Sequence, residues 1–209
     1  MVDFSKYFDR VYVINLDRRP DRFEAFQAEM RKFGIENIER FSAVDGNTIM
    51  ANNIPLLAGE IGVLESHLEI IKKCLEDGVE NVLILEDDVF FTEEITRLDE
   101  YMSSVPNDWD FIYFGGNHLY GQPPLKVNDK VIKLNFTVAL QCVAINKSMF
   151  ETILAILPKR RKQVDAYYAD LHNVFNAYGF YPNMAKQVAG FSDIQNRHVD
   201  YTGFFRDEE

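Results

Sequence analysis

Three consecutive acidic residues, Glu86-Asp87-Asp88, are the first candidates for chemistry in this sequence. They follow a short apolar run, 81–85, which is typical of a strand covered on both faces. Ligands of open α/β sheets bind beyond the carboxyl ends of such strands. Carboxylates there could hold Mg²⁺ or Mn²⁺, which prefer hard oxygen ligands, while the ion grips a diphosphate. An acidic turn that caps the next helix is the alternative, and the tripeptide alone does not decide between the two.

An arginine-rich segment, 15–22 (NLDRRPDR), follows the first apolar run of the chain. Pro20 suits the first position of a helix there. Arginines and helix amino termini both bind phosphate groups, so the segment is a candidate cradle for a nucleotide. Solvated arginines paired with Asp17, Asp21 and Glu24 are the alternative, which is favoured when the segment is taken alone.

Glu60 and His67 lie seven residues apart in a long helical pattern, 59–77, and therefore on nearly the same side of the helix. Beside the apolar stripe they could face a cleft. A buried, hydrogen-bonded histidine is the alternative for His67, and Ser66 could bond back to its own helix.

A second histidine, His198, closes the polar segment 190–198 (GFSDIQNRH). It could complete a metal site begun by Asp88. An exposed histidine near the end of the chain is the alternative, and it is the favoured one for His198 taken alone.

The composition excludes several classes of protein. The formal net charge of −11 repels nucleic acid and anionic membranes, so neither is expected as a main partner. The chain has no phosphate loop ending in Gly-Lys-Ser/Thr, no Gly-x-Ser-x-Gly elbow, no Cys-x-x-Cys pair and no dinucleotide fingerprint. A small anion remains possible if a local cation or a metal ion attracts it.

The first ten residues are polar and charged, and no apolar run approaches the roughly 20 residues that span a bilayer. We therefore expect no transmembrane segment and a cytoplasmic location. Cys74 and Cys142 lie in apolar patterns and are expected to be buried free thiols. With 209 residues and no break in composition, the chain is expected to form one domain, 1–209.

The pattern of apolar residues predicts an α/β protein with a mixed sheet. A strand at 11–15, a helix from Pro20 to Gly34 and a strand at 38–44 form a β-α-β unit, which indicates parallel strands. The later predicted elements are helices at 59–77, 93–104, 148–157 and 164–178, and strands at 81–85, 110–114, 131–134 and 137–146. The last thirty residues show no clear periodicity.

Taken in order, these segments resemble glycosyltransferase family 25, which includes bacterial lipopolysaccharide sugar transferases and is related to collagen galactosyltransferases. The resemblance rests on VYVINLDRRPDR (11–22), AVDG (43–46), GEIG (59–62) with Ser66-His67, and LILEDDV (83–89). Weaker matches are Trp109-Asp110 with Tyr113, Val164-Asp165 and Ser192-Asp193-Ile194. The series covers roughly residues 8–195, and its order and spacing are specific although each motif is short.

The resemblance implies a GT-A type nucleotide-sugar-binding fold, with a mixed, mostly parallel sheet flanked by helices. It also implies an inverting hexosyltransferase that uses a UDP-sugar, with galactose or glucose as the sugar, and Mn²⁺ or Mg²⁺. The implied acceptor is a hydroxyl group of a saccharide or of a hydroxylysine-type side chain. The loop near Gly121-Gln122-Pro123-Pro124 is expected to contact it.

The same resemblance implies roles for individual residues. Asp165 is the favoured catalytic base, with Asp170 and Glu60 as alternatives. The resemblance implies Asp88 and Glu86 as metal ligands, and His198, which lies beyond the matching segments, is expected as the third ligand. The donor-binding residues are expected to be Asn15, Leu16, Arg18, Arg22, Asp45, Glu60, His67, Glu86, Asp87, Ser192 and Asp193.

The sequence shows neither the secretory signal nor the longer, multi-domain organisation of the collagen enzymes of the family, so we expect a compact cytosolic or membrane-edge enzyme, or a single domain cut from a larger protein. The end of the chain, Arg206-Asp207-Glu208-Glu209, lacks the closing leucine of an endoplasmic-reticulum retention signal. A catalytically inactive nucleotide-sugar-binding module is the first rival interpretation. A metal-dependent nucleotidyltransferase is the second, but the lack of a glycine-rich, basic phosphate loop counts against it.

Overall fold

The computed structural model describes residues 2–49, 54–118, 123–195 and 197–200. Its helices are α1 (Pro20–Lys32), α2 (Ala58–Glu76), α3 (Leu98–Met102), α4 (Phe150–Ile156) and α5 (Val164–Leu171). Its strands are β1 (Arg10–Asn15), β2 (Glu39–Ser42), β3 (Asn81–Glu86), β4 (Val89–Phe91), β5 (Phe111–Tyr113), β6 (Leu125–Lys126), β7 (Val131–Lys133), β8 (Cys142–Asn146), β9 (Ala177–Phe180), β10 (Ala185–Gln187), β11 (Gly190–Ser192) and β12 (Arg197–Val199).

A large mixed sheet organises the described residues, with strand order β2-β1-β3-β8-β5-β9-β7-β6. β1 runs parallel to both β2 and β3, whereas β8 is antiparallel to β3 and β5. The register aligns Ile14 of β1 with Glu86 of β3. Because parallel strands end at the same edge, the arginine-rich segment after β1 and the acidic cluster after β3 are neighbours.

Helices cover both faces of the sheet, and each face has its own apolar core. In β3, Leu83 and Leu85 pack into one core, and Val82 and Ile84 pack into the other. α1 joins the first core through Phe26 and Met30, while α2, α4 and α5 pack on the opposite face. These layers confirm the predicted α/β class with a mixed sheet flanked by helices, which is the layout of a GT-A type fold.

The start of α2 lies directly on the turn that follows β2. A Cβ atom on Gly46 would come within 1.7 Å of the carbonyl oxygen of Ala58, and one on Gly62 within 2.5 Å of that of Val44. Only glycine allows this approach without a backbone shift. The contact fixes Asp45 at the edge of the sheet where β1 and β3 end.

The second half of the chain differs from the prediction in three places. The helix predicted at 164–178 ends at Leu171, and Ala177–Phe180 instead forms the fully buried strand β9 beside β5. Of the strand predicted at 137–146, only Cys142–Asn146 is regular, because Ala139 has a positive φ of 77° that interrupts an extended run. Residues without a clear pattern form β10, β11 and β12.

One smaller prediction, for the two cysteines, is confirmed. Cys74 and Cys142 are buried free cysteines. Within the ranges that the structure describes, every helix is too short or too polar to cross a membrane. The loop residues Gly121 and Gln122, and the carboxyl-terminal Arg206-Asp207-Glu208-Glu209, lie outside the described residues.

Candidate functional site

A cavity of about 1000 Å³ opens at the carboxyl ends of β1 and β3. Its other walls include α1, the amino-terminal parts of α2 and α5, the segment 136–140 and the β11–β12 hairpin. The structure brings most of the predicted site residues to this cavity, namely Leu16, Arg18, Arg22, Asp45, Glu60, Glu86, Asp87, Asp88, Asp165, Ser192 and Asp193.

The acidic cluster lies at the floor of the cavity, where β3 ends. Gln187 of β10 donates a hydrogen bond to Oε2 of Glu86 at 3.1 Å and lies 3.5 Å from Oδ1 of Asp88. Burial, followed by the nearby charges of Asp88 and Asp87, raises the pKa of Glu86 to about 8. Burial also raises the pKa of Asp88. Burial among these acids therefore favours the protonated form of Glu86.

Arg22 supplies the positive charge nearest to this cluster. Its guanidinium lies 3.0 Å from Oδ2 of Asp88 and also contacts Asp87. Asn15, which is 1% exposed, donates a hydrogen bond to Oδ2 of Asp87 at 2.6 Å. Asn15 does not line the cavity. The prediction that Asn15 contacts the nucleotide-sugar is therefore corrected, because its side chain lies behind the cavity wall and positions Asp87 from there.

The acidic cluster fits a divalent cation as part of a coordination shell. Among the described residues, no group of three His, Cys, Asp or Glu side chains is arranged to hold a metal ion. Mg²⁺ and ions like it commonly take one or two carboxylates from the protein and complete their shell with phosphate oxygens and water. Asp88 and Glu86, which both line the cavity, match such a partial set.

His198 is not brought together with these carboxylates. It lies in the exposed strand β12, with its ring 5.7 Å from that of Phe191, and it does not line the cavity. The expectation that His198 is a third metal ligand is therefore corrected, because His198 is not among the residues that line the cavity with Asp88.

The prediction that His67 contacts the nucleotide-sugar is also corrected. The side chain is fully buried, and its Nδ1 lies 3.2 Å from the hydroxyl of Tyr168. Burial lowers the pKa of His67 to about 4. Its neighbour Ser66 faces the cavity instead, and donates to the carbonyl of Gly62 at 2.7 Å while it accepts from the amide of Val44 at 2.9 Å. Ser66 thus makes the predicted bond to its own helix.

Asp45 lines the cavity at the turn after β2. Its Oδ1 accepts hydrogen bonds from the backbone and side-chain amides of Asn47, at 3.0 and 2.8 Å. Its Oδ2 accepts one from Arg18 at 3.1 Å. The Asn47 backbone amide first, and then its side chain, lower the pKa of Asp45, so this carboxylate is ionised at neutral pH.

Asp165 lies in the first turn of α5, on the side of the cavity that α2 and α5 form. Its Oδ1 accepts a hydrogen bond from the backbone amide of Ala166 at 2.8 Å, and burial raises its pKa. The carboxylate is therefore a stronger base than an exposed aspartate, which suits it to accept a proton.

The two alternative bases have other partners. Glu60 caps α2, because its Oε2 accepts from the amide of Leu57 at 2.8 Å, and its Oε1 accepts from Gln163 at 2.9 Å. Asp170 is exposed, pairs with Lys162 and does not line the cavity. The position of Asp170 excludes it as a group that touches a ligand there.

The β11–β12 hairpin closes the cavity over the arginine-rich segment. Asp193 accepts a hydrogen bond from Arg18 at 2.6 Å, contacts Arg19, and lies 3.8 Å from Arg22. Arg19 and Gln187 both line the cavity and were not among the predicted site residues. Arg19 could have been inferred from its place in the arginine-rich segment, whereas Gln187 lies in a stretch that has no pattern.

Comparison with known proteins connects this cavity to a family. Residues 8–168 match the family model described as glycosyltransferase family 25 (LPS biosynthesis protein). The matched range contains the arginine-rich segment, the acidic cluster and Asp165, and it ends before β9 and the hairpin.

Curated relatives point the same way. The chain is 29% identical to procollagen galactosyltransferase 2 of Mus musculus over 149 residues, which cover 61% of this chain and 24% of that protein. It is 28% identical to the procollagen lysyl hydroxylase and glycosyltransferase of Acanthamoeba polyphaga mimivirus over 207 residues, 82% of this chain and 22% of that protein. It is also 34% identical over 130 residues, 52% of this chain and 22% of that protein, to a human protein named inactive glycosyltransferase 25 family member 3. The chain thus spans about a quarter of the length of these relatives.

Proposed function

The chain belongs to glycosyltransferase family 25, and we propose on that premise that it transfers a hexose from a UDP-sugar to a hydroxyl acceptor. One observation carries the proposal: the register of β1 and β3 places three arginines and three acids on the walls of one cavity. Its volume of about 1000 Å³ lies at the upper end of the range for small-molecule sites. That space suits a nucleotide-sugar together with part of an acceptor.

The donor is proposed to lie along the arginine side of the cavity. Arg18, Arg19 and Arg22 can bind the diphosphate, because guanidinium groups pair with phosphate oxygens through two parallel hydrogen bonds. Asp45, which is ionised and faces the cavity, is the proposed contact for the ribose or the base. Galactose or glucose is the proposed sugar, and a saccharide or a hydroxylysine-type side chain is the proposed acceptor.

A divalent ion, Mn²⁺ or Mg²⁺, is proposed to bind at Asp88 and Glu86. When bound, such an ion would neutralise charge that develops on the departing diphosphate. Binding there also requires Glu86 to be deprotonated, so a bound cation and a proton on Glu86 exclude each other.

Asp165 is the proposed catalytic base. It accepts the proton of the acceptor hydroxyl as that oxygen forms a bond to the anomeric carbon. The bond from that carbon to UDP breaks on the opposite side, and its electron pair leaves with the diphosphate. One displacement of this kind inverts the anomeric centre. General base catalysis by a positioned carboxylate contributes about 10²- to 10⁴-fold to the rate.

An inactive nucleotide-sugar-binding module is the second candidate. The human relative that is named inactive favours it, because 52% of this chain aligns with that protein at 34% identity. Such a module would bind the donor in the same cavity without transferring the sugar.

Calorimetric titration with UDP, UDP-galactose and UDP-glucose, with and without Mn²⁺, tests donor binding. We expect the wild type to bind these ligands saturably and with higher affinity in the presence of Mn²⁺. In Asp88→Asn, Mn²⁺ should no longer raise the affinity. If none of the three ligands binds in the presence of Mn²⁺, both candidates are rejected. If Asp88→Asn keeps the full effect of Mn²⁺, the proposed metal site is wrong.

A further inference from the structure

Asp193 holds the arginines on which the proposed diphosphate site depends. Its carboxylate bonds to Arg18 at 2.6 Å, contacts Arg19, and lies 3.8 Å from Arg22. Among the described residues that line the cavity, these three arginines are the only cationic side chains. The Asp193 side chain is only 15% exposed, so the contact is shielded from solvent. A carboxylate thus occupies the place where the site offers its positive charge to an anion.

A bound diphosphate and Asp193 would compete for the same donors. Each guanidinium has a limited set of N–H groups in a fixed fork, and those directed at Asp193 are not free for phosphate. Two anions on one arginine cluster also repel each other. Asp193 therefore cannot stay in this position and also act as a direct ligand of the donor, which differs from the role that the family resemblance implies for it.

We propose that Asp193 is a built-in competitor for the donor diphosphate, displaced when the donor binds. In the free protein its carboxylate keeps the arginines ordered and the hairpin closed. The entering diphosphate binds Arg18, Arg19 and Arg22 in place of the Asp193 carboxylate, and the hairpin moves away with Asp193. The proposal rests on the proposed function only for the identity of the anion, because the exchange itself needs no more than a diphosphate group.

The hairpin is attached in a way that permits this movement. Before it, β10 pairs with β4, and the amide of Val188 donates to the carbonyl of Asp88 at 3.0 Å, so this strand is fixed. Beyond that bond the chain passes through Gly190, where a Cβ atom would meet no other atom within 4 Å. Phe191 remains 41% exposed. Opening at Gly190 would break the contacts of Asp193, the hydrogen bond from Arg22 to the carbonyl of Phe191 at 3.4 Å, and the packing of Ile194 on α2.

The hairpin also lies outside the part of the chain that the family model matches, residues 8–168. The matched range therefore includes the arginines but not the carboxylate that competes for them.

Calorimetric titration of the full chain with inorganic pyrophosphate and with UDP tests the proposal, using Asp193→Asn as the main variant. Asparagine keeps the shape of the side chain and removes its charge. If Asp193 occupies the arginines about nine-tenths of the time, its removal lowers the apparent Kd about tenfold. We expect this decrease for both ligands, and the same direction in Asp193→Ala. Thermal unfolding checks that each variant is folded.

Asp21→Asn is the matched control. Asp21 pairs with Arg19 at 2.8 Å, but it is 64% exposed and does not line the cavity. The variant makes the same change in net charge and removes a carboxylate from the same cluster, so its Kd values should stay within about twofold of the wild type. An equal decrease in both variants would mean that net charge alone is responsible, and would overturn the proposal.

The remaining outcomes separate this proposal from the proposed function. Wild-type binding of UDP with an unchanged or higher Kd in Asp193→Asn overturns the competitor and leaves the function standing. Tighter pyrophosphate binding in Asp193→Asn without any binding of UDP supports the competitor and rejects the function. Absence of binding by either ligand in every variant overturns both.

Discussion

The guanidinium of Arg22 lies 3.0 Å from Oδ2 of Asp88 and joins the start of α1 to the acidic cluster after β3. Both side chains are mostly buried, at 19% and 29% exposed. The free protein therefore carries its own counter-charge for the carboxylate that is proposed to bind a metal ion. A divalent ion that enters must share Asp88 with Arg22 or displace it.

Arg22→Gln should lower the free energy of unfolding by about 2 to 3 kcal/mol, because it leaves two partly buried carboxylates unpaired. Mn²⁺ should then raise the melting temperature of the variant more than that of the wild type, since the ion replaces the lost charge. Arg18→Gln is the control: Arg18 is 46% exposed, so its loss should cost about 1 kcal/mol or less. Equal responses of the wild type and Arg22→Gln to Mn²⁺ would contradict a metal site at Asp88.

Gly59→Ala should loosen the β11–β12 hairpin. A Cβ atom at Gly59 would come within 2.5 Å of Cα of Ile194, so the hairpin backbone must move away from α2. Hydrogen exchange should show amides of residues 190–195 exchanging about tenfold faster, while amides of β1 and β3 keep their protection. Gly190→Ala adds the same atom where nothing lies within 4 Å, and should leave exchange unchanged. Unaltered hairpin exchange in Gly59→Ala would show that the packing on α2 does not hold it closed.

His67→Gln should make the protein less sensitive to acid. The buried imidazole has a pKa of about 4, and its pKa in the unfolded chain is near 6.5. The unfolded state therefore binds a proton first as the pH falls, and stability present above pH 6.5 is lost on the way to pH 4. Between pH 7 and 5 this amounts to about 2 kcal/mol for one histidine.

Denaturant unfolding at pH 7 and pH 5 measures that loss. The loss should be about 2 kcal/mol smaller in His67→Gln than in the wild type, whatever the absolute stability of the variant at pH 7. An identical loss in both proteins would show that His67 titrates normally in the folded state.

The first half of the fold follows closely from the apolar pattern. A pure apolar run predicts β3 and places Glu86-Asp87-Asp88 at its end, and both are confirmed. The predicted β-α-β unit is confirmed as parallel β1 and β2 around α1. Local pattern was sufficient there because these neighbouring elements are also close in the sequence.

The pattern was insufficient where distant parts of the chain decide the structure. Ala177–Phe180 forms a strand because it pairs with β5 on one side and β7 on the other, and the local periodicity of apolar residues cannot show this pairing. His67 lies on the predicted side of its helix, but Tyr168 of α5 covers it. Gln187 reaches the acidic cluster only because β10 pairs with β4. No spacing in the sequence indicates any of these contacts.

Release of UDP from UDP-galactose and UDP-glucose with Mn²⁺, measured for the wild type, Asp165→Asn and Asp170→Asn, tests the central claim most directly. Transferases commonly pass the sugar to water when no acceptor is present. We expect release by the wild type and by Asp170→Asn at similar rates, and release at least about 100-fold slower by Asp165→Asn with unchanged affinity for UDP. If the wild type binds UDP but releases UDP from the two UDP-sugars no faster than Asp165→Asn does, the account is contradicted. The chain would then be assigned to the inactive nucleotide-sugar-binding modules.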